Sequence, residues 1–263
     1  MLLAINIGNS NMRFVLMDGT VTIASIRLRS DRTRTGDEIA GTFAGALDSQ
    51  GRGNLLRDAS GIIVSSVVPI LSDAIREMCT RCLPDIPPPI FITGSTEIGM
   101  KVQYDPPHTL GADRLVNAYA ARETLGGGPF IVADYGTATT FDVVDASGAF
   151  VGGAILPGIG LGRDALAEKT AQLPRVDLFS PEPVHALGQK TVDALRSGIL
   201  LGAAAQCEGM VARLRSEINE PQARVVATGG LSAVVARHSA VIDSVDPDLT
   251  ITGLRLLYEK LAQ

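Results

Sequence analysis

The sequence predicts an α/β protein built from two similar domains that face a cleft, on three observations. An apolar strand followed by an [Asn/Asp]-x-Gly turn and a hairpin occurs twice. It reads LLAINIGNSNMRFVLMDGTVTIASIRL from residue 2 and FIVADYGTATTFDVVDASGAFVGGAIL from residue 130. After each copy helices and strands alternate, the pattern of a sheet covered by helices. Between the copies, prolines in DPPH (105–108) interrupt the periodicity, which sets the expected domains at 1–108 and 109–263.

Each element has its own signal. Within each repeat the first strand is a near-continuous apolar run. The next two strands alternate about the tight turns MDGT (17–20) and DASG (145–148), both hairpin signals. The copies align at a constant offset, Asn6 on Asp134 and Gly8 on Gly136. In the first half GDEIAGTFAGALDSQ (36–50) reads as a helix starting near Thr35 or Asp37. GIIVSSVVP (61–69) reads as a buried strand, ILSDAIREMCTRC (70–82) as a second helix, and IFIT (90–93) as a strand after a proline loop. LGADRLVNA (110–118) opens a helix after Gly111, with Asp113 and Arg114 in its first turn. In the second half GRDALAEKTAQL (162–173) is helical, and residues 191–218 show helical periodicity throughout. There Gly198 and Gly202, four apart, fit close helix packing. ARVVATGG (223–230) is a strand feeding a glycine turn, LSAVVARHS follows it, and GLRLLYEKLA (253–262) is a last helix.

Composition excludes several function classes. With 263 residues, 46% hydrophobic and 19% charged, a substantial core is expected rather than disorder. A net charge of −5 without a long basic run leaves no electrostatic footprint for nucleic acid. Aromatic residues at 4% with no Trp offer no base-stacking platform. No apolar stretch approaches the roughly 18 residues a membrane span needs. Met1 leads directly into the first strand, so a soluble, cytoplasmic protein is expected. Cys79 and Cys82 form a C-x-x-C, but no second pair completes a zinc site, and the pair is read as two thiols on a helix. His108, His185, His238 and Lys190 are read as surface loop or helix-end residues, although His108 and Lys190 lie close to the motifs discussed next.

The chemistry concentrates in the turns. A glycine between a strand and small polar residues lets the backbone approach a ligand closely. Its N–H groups, with Ser and Thr hydroxyls, then donate to phosphate oxygens. Gly8, Asn9, Ser10 and Asn11 form one such turn, and Gly136, Thr137, Thr139 and Thr140 the other. Gly229 and Gly230 after the strand ARVVA form a third glycine turn, expected where a nucleoside would rest. Asp113 and Arg114 admit two readings of equal weight. One is ordinary stabilisation of a helix N-terminus, worth about 0.3–1 kcal/mol. The other is a general base with an anion-binding arginine.

Three glycine turns in this order resemble the superfamily of sugar kinases, heat-shock chaperone ATPases and actin. That likeness implies two ribonuclease-H-like domains around a nucleotide cleft. A more specific resemblance is to type III pantothenate kinases. It rests on GNSN (8–11), SSVVP (65–69), Tyr104, LGADRLVNA (110–118), ADYGTATTFDVVD (133–145), GGAILPGI (152–159), TAQLP (170–174), LGQKTVDALRSGI (187–199), ATGG (227–230) and DPDLTITGL (246–254), in order across nearly the whole chain. The resemblance implies transfer of the ATP γ-phosphoryl to the primary hydroxyl of pantothenate, at the start of coenzyme A biosynthesis. It implies Asp113 as the base, Asp134 as a monovalent-cation and phosphate-side carboxylate, and Thr137, Thr139 and Thr140 near the phosphates. Tyr104, Gly111, Ala112 and Arg114 fall at substrate positions, and Thr191 at a position reaching substrate from a partner subunit. A homodimer using Mg²⁺ with K⁺ or NH₄⁺ is the implied assembly.

One residue departs from the pattern. Asn6 stands where the family carries aspartate, so this magnesium position is weakened, since a neutral amide holds a hard cation less strongly than a carboxylate. One lost stabilising contact is worth about 2–4 kcal/mol. Three readings follow: a working but slowed pantothenate kinase, a kinase of another hydroxylated cofactor precursor, or a non-catalytic relative that binds nucleotide or pantothenate. The complete remainder of the pocket favours the first. A dinucleotide oxidoreductase is excluded, because no G-x-G-x-x-G opens a helix after a strand.

Overall fold

The computed structural model describes residues 1–262. The chain divides into two compact units: residues 1–99, 105–120 and from Thr250 onward in one, and 100–104 with 121–249 in the other. This division lies elsewhere than the expected one at 108/109.

The first unit opens with β1 (Leu2–Ile7), β2 (Asn11–Asp18) and β3 (Val21–Arg29). Helix α1 (Gly36–Ser49), β4 (Gly61–Ser66), α2 (Pro69–Cys82), β5 (Ile90–Ile92) and the start of α3 (Ala112–Leu125) follow. The sheet order is β3-β2-β1-β4-β5. The first three strands are antiparallel, while β4 pairs parallel to β1 and β5 parallel to β4. One face of β1 carries Leu3, Ile5 and Ile7 into a core shared with Ile39, Phe43 and Leu47. These three sit four residues apart along α1, so they form a single stripe. Phe14 and Phe43 stack at 4.8 Å between ring centroids. Burying a side chain of this size contributes about 1.5–3 kcal/mol, so the stripe outweighs any surface pair in holding α1. The helix start is fixed by a capping box, in which Thr35 accepts from the Glu38 N–H and the Glu38 carboxylate accepts from the Thr35 N–H.

The second unit repeats the plan with β6 (Phe130–Tyr135), β7 (Ala138–Val144), β8 (Phe150–Pro157), α4 (Ile159–Lys169), α5 (Thr191–Arg196), α6 (Gly202–Glu217), β9 (Arg224–Thr228), α7 (Ser232–Ala236) and β10 (Ser244–Val245). Its order, β10-β9-β6-β7-β8, is the first sheet's connectivity again, with β9 parallel to β6. Ile131, Ala133 and Tyr135 alternate into a core with Phe141, Cys207 and Val211. The expected continuous helix over 191–218 is instead α5 and α6 joined by a π segment, Ser197–Leu201. The segment coincides with two ties to one loop. Buried Arg196 bonds Ser180 O and Glu182 O, and Ser197 Oγ donates to Ala186 O at 2.8 Å. Within this chain a methyl on Gly198 or Gly202 would meet nothing within 4 Å, so these glycines are not used for close packing inside it. Helix α4 likewise stops at Lys169, short of the expected 173, where the backbone turns extended at Thr170.

Helix α8 (Leu249–Leu261) returns to the first unit. Thr250 Oγ1 donates to Asn117 Oδ1 of α3 at 2.7 Å, and a methyl on Gly253 would meet Val116 O at 2.6 Å. These contacts explain the shifted division, because α8 is tied to α3 within the first unit and reaches the face of the first sheet opposite Leu3, Ile5 and Ile7. The Tyr258 ring lies over Gly61, at the start of β4, on that face.

Candidate functional site

In the second unit Asp134 is the fifth residue of the six-residue β6. Its register partners are Thr140 on β7 and Thr228 on β9, so a carboxylate stands between two threonines on the face turned away from the core. Thr228 is fully buried. The strand ends at Tyr135, and the Gly136 N–H donates to Ala138 O at 3.1 Å and closes the turn. Gly229 has φ +89°, a conformation open to glycine and strained for other residues. A methyl there would run into Asp134 Oδ1 and the Tyr135 backbone, so the third glycine turn lies directly behind the Asp134 carboxylate. Gly158, ahead of α4, packs equally tightly on the Gly136 and Thr137 carbonyls.

The first unit holds the equivalent turn. Asn6 is also fifth of six, on β1, with Arg13 of β2 and Ser65 of β4 as its register partners. Gly8 N–H donates to Asn11 O at 3.0 Å, so this turn is one residue longer than the other. Ser30, just past β3, ties it down by donating from Oγ to Gly8 O at 2.6 Å and from N to Ser10 O. Asn6 Oδ1 is buried and has no hydrogen-bond partner among the described residues. A buried acceptor of this kind can take a hydrogen bond from a ligand or a water.

Asp113 reaches the same end of the unit. A methyl on Gly111 would touch both Asp113 Oδ1 at 2.7 Å and Val67 Cγ1 at 3.6 Å, while the Val67 N–H donates to Ile7 O at the end of β1. The Asp113 carboxylate therefore lies near Val67, which is itself bonded to the end of the strand that carries Asn6. Burial raises its pKa above the ordinary carboxylate range. The Arg114 N–H bonded to Oδ1 at 2.8 Å and the charge of Arg114 oppose this only in part. Arg114 is itself buried. A desolvated aspartate of this kind holds protons more tightly than a surface one, as a general base requires. The same unit holds a pocket of about 460 Å³ lined by Val67, Arg76, Phe91, His108, Gly111 and Ala112, and His108 itself is exposed.

Comparison with known proteins decides the family. The type III pantothenate kinase family matches residues 2–213. A type III pantothenate kinase of Moorella thermoacetica is 41% identical over 260 residues, covering 99% of both chains. One from Rubrobacter xylanophilus is 44% identical over 263 residues, covering 98% of this chain and 97% of its own. The chain belongs to the type III pantothenate kinase family. The fold matches that of the ROK hexokinase from Thermus thermophilus, with a TM-score of 0.51 at 13% identity over 99% of each chain. The two ribonuclease-H-like domains expected from the glycine turns are thus present.

As a member of this family, the chain divides its expected site residues between the two units. Asn6, Gly8, Asn9, Ser10, Asn11, Gly111, Ala112, Asp113 and Arg114 fall in the first; Tyr104, Asp134, Gly136, Thr137, Thr139, Thr140, Thr191, Gly229 and Gly230 fall in the second. Tyr104 packs edge-on to Phe150 at 6.0 Å between centroids. Thr191 is exposed at the start of α5. One expected phosphate-side residue needs correction. Thr139 pairs with Tyr135 and turns with it into the core, 5% exposed, because adjacent strand residues face opposite ways. Of these two threonines, only Thr140 shares the Asp134 face. Two residues escaped the sequence reading. Asp142 is fully buried on the face of Thr140, whose Oγ1 donates to it at 3.2 Å, and Ser65 is a fully buried hydroxyl beside Asn6. For Asp142 the signal was a polar residue at alternate positions of β7, and for Ser65 a serine at the end of an apolar strand.

Proposed function

We propose that the chain phosphorylates pantothenate on its primary hydroxyl with ATP, forming 4'-phosphopantothenate for coenzyme A biosynthesis. The observation that carries this is the match to type III pantothenate kinases over 99% of the chain, with the half-buried Asp113 in the first turn of α3. With Oδ1 engaged by the Arg114 N–H, Oδ2 takes the proton as the hydroxyl oxygen attacks the γ-phosphorus and the bond to ADP breaks. In the first unit Gly111, Ala112 and Arg114 hold the substrate, Arg114 by meeting its carboxylate. The backbone N–H groups of the turn at 8–11 in that unit, and those at 136–137 with Thr140 in the other, are each suited to phosphate oxygens. A magnesium ion accompanying the nucleotide would neutralise charge between the phosphates. Among the described residues no cluster of three or more His, Cys, Asp or Glu side chains is found. Asn6 Oδ1 would accept from a water of the magnesium ion, and Asp134 would hold the potassium or ammonium ion. The working form is a cytoplasmic homodimer in which Thr191 reaches the partner's substrate.

Asn6 favours one second reading, binding without turnover, because a neutral side chain occupies the metal-facing position. The test is formation of 4'-phosphopantothenate by the purified chain with ATP, Mg²⁺ and K⁺, with omission of pantothenate, of K⁺, and of each substrate in turn. Product that depends on pantothenate supports the proposal. ATP hydrolysis indifferent to pantothenate refutes the substrate, and nucleotide binding without any turnover supports the second reading.

A further inference from the structure

We propose that Ser65 is a second binding residue of the Asn6 site, and that the two side chains hold one water between them, the ligand through which a magnesium ion arriving with the nucleotide would be met. The inference deepens the kinase reading and rests on it.

Asn6 and Ser65 are register partners on the parallel strands β1 and β4, so their side chains leave the sheet side by side on one face. The other face of these strands carries Ile5, Ile7 and Val64 into the first core. Ser65 is completely buried. Neither Asn6 Oδ1 nor Ser65 Oγ, both buried, has a hydrogen-bond partner among the described residues, so the two atoms are not bonded to each other. Leaving a buried polar atom unpaired is costly, and nearly all such atoms in native proteins find a partner. Adjacent strands lie about 4.7–4.9 Å apart, and one water bonding at about 2.8 Å on either side spans that interval. A single shared ligand therefore satisfies both atoms.

The chemistry of the pair selects the ligand. An amide oxygen only accepts, so whatever meets Asn6 Oδ1 brings a hydrogen. An ionised phosphate or carboxylate has none to give and is excluded at this atom. A serine hydroxyl can also accept. A water that donates one hydrogen to Asn6 Oδ1 and the other to Ser65 Oγ keeps its lone pairs free for a cation. Magnesium retains several of its waters, so it is suited to being met in this indirect way. Ser65 thus supplies a second bond to a water that a neutral amide alone would hold by one. The neighbouring serine shows the contrast. Ser66 Oγ accepts from the Val68 N–H at 3.1 Å and from Ser72 Oγ at 2.7 Å, so its bonding is spent on the fold. The second unit uses the same placement, with the fully buried Thr228 as the parallel-strand register partner of Asp134.

The experiment is a double-mutant cycle on the full chain: native, Ser65→Ala, Asn6→Ala and both together, each titrated calorimetrically with ATP in Mg²⁺ and in EDTA. One hydrogen bond corresponds to about a threefold to tenfold change in Kd. Ser65→Ala is expected to weaken binding in Mg²⁺ by about that factor and to leave binding in EDTA unchanged. The double variant should lose little more than Asn6→Ala alone, because both side chains hold the same water. Should Ser65→Ala not fold, Ser65→Cys, similar in size but a weak hydrogen-bonding group, carries the same expectation. Native affinity of the Ser65 variant in Mg²⁺, or losses that multiply in the double variant, overturn the inference alone. So does an equal loss in EDTA, which would mark structural damage. Failure of the native chain to bind ATP in either buffer overturns the kinase reading and the inference with it.

Discussion

Gly229 and Gly230 are neighbours for which the structure requires opposite outcomes on substitution by alanine. Gly229 sits at φ +89°, where an L residue carries strain of about 1–2 kcal/mol. Its new methyl would meet Tyr135 C at 2.7 Å and Tyr135 N at 2.8 Å, and would press on Asp134 Oδ1. These are backbone atoms of the central strand, held on both sides by β7 and β9, so they cannot swing aside as the tip of a flexible side chain would. Forcing a methyl into such a place costs about 1–3 kcal/mol more. The sum, about 2–5 kcal/mol, corresponds to a fall in Tm of about 4–20 °C at roughly 2–4 °C per kcal/mol. At Gly230 a methyl would meet nothing within 4 Å, and the backbone is not in the left-handed region. Gly230→Ala should therefore leave Tm unchanged or raise it slightly, since a less flexible unfolded chain favours folding by about 0.4–1 kcal/mol. Thermal melts followed by circular dichroism, with and without ATP, read both effects. Gly229→Ala should also lose the upward shift that ATP gives, because the displaced carboxylate is the proposed cation site. Equal Tm values for the two variants, or a Gly229→Ala melt within about 1 °C of the native chain, would refute the packing argument.

Asp113→Asn is expected to lower turnover by about 10²–10⁴-fold, the range for a general base, with ATP binding retained in calorimetry. The sign of its stability effect follows from burial, which raises the folded-state pKa of Asp113. The folded state is then favoured below the unfolded pKa of about 4, and that contribution is lost as pH rises through the raised folded value. The asparagine variant should thus melt at or above the native chain near neutral pH, and the native activity should fall on the acid side above the ordinary carboxylate range. A native chain clearly more stable than the variant near pH 7 would mean that attraction to Arg114 outweighs desolvation. Thr35→Ala removes the capping box of α1 and should cost about 1 kcal/mol, seen as a Tm lower by about 2–4 °C, with Thr35→Ser near native. In a thiol titration with an aromatic disulfide at pH 8, Cys82 should react at once and Cys79 and Cys207 only on unfolding. Burial, with Cys82 beside it, pushes the Cys79 thiol up to about 11, and burial also raises Cys207.

How much of this was legible in the sequence depends on the range of the interaction that fixes each feature. The repeated strand and turn were readable because period-two alternation and turn glycines are local, and Asn6 and Asp134 do fall at the same position of matching strands. The division of the chain was not readable. It is set by α8 packing on α3 through Thr250 to Asn117, a contact between residues far apart in sequence that no proline or composition shift announces. The sidedness of Thr139 was available from strand alternation, yet the motif TATT suggested a row of equivalent hydroxyls. Alternation sends Thr139 to the core with Tyr135 and keeps Thr140 with Asp134. Register is likewise invisible in the sequence: Arg13, seven positions beyond Asn6, reads as one surface arginine on an alternating strand until the hairpin pairing sets it opposite residue 6, where the second unit sets Thr140 opposite Asp134.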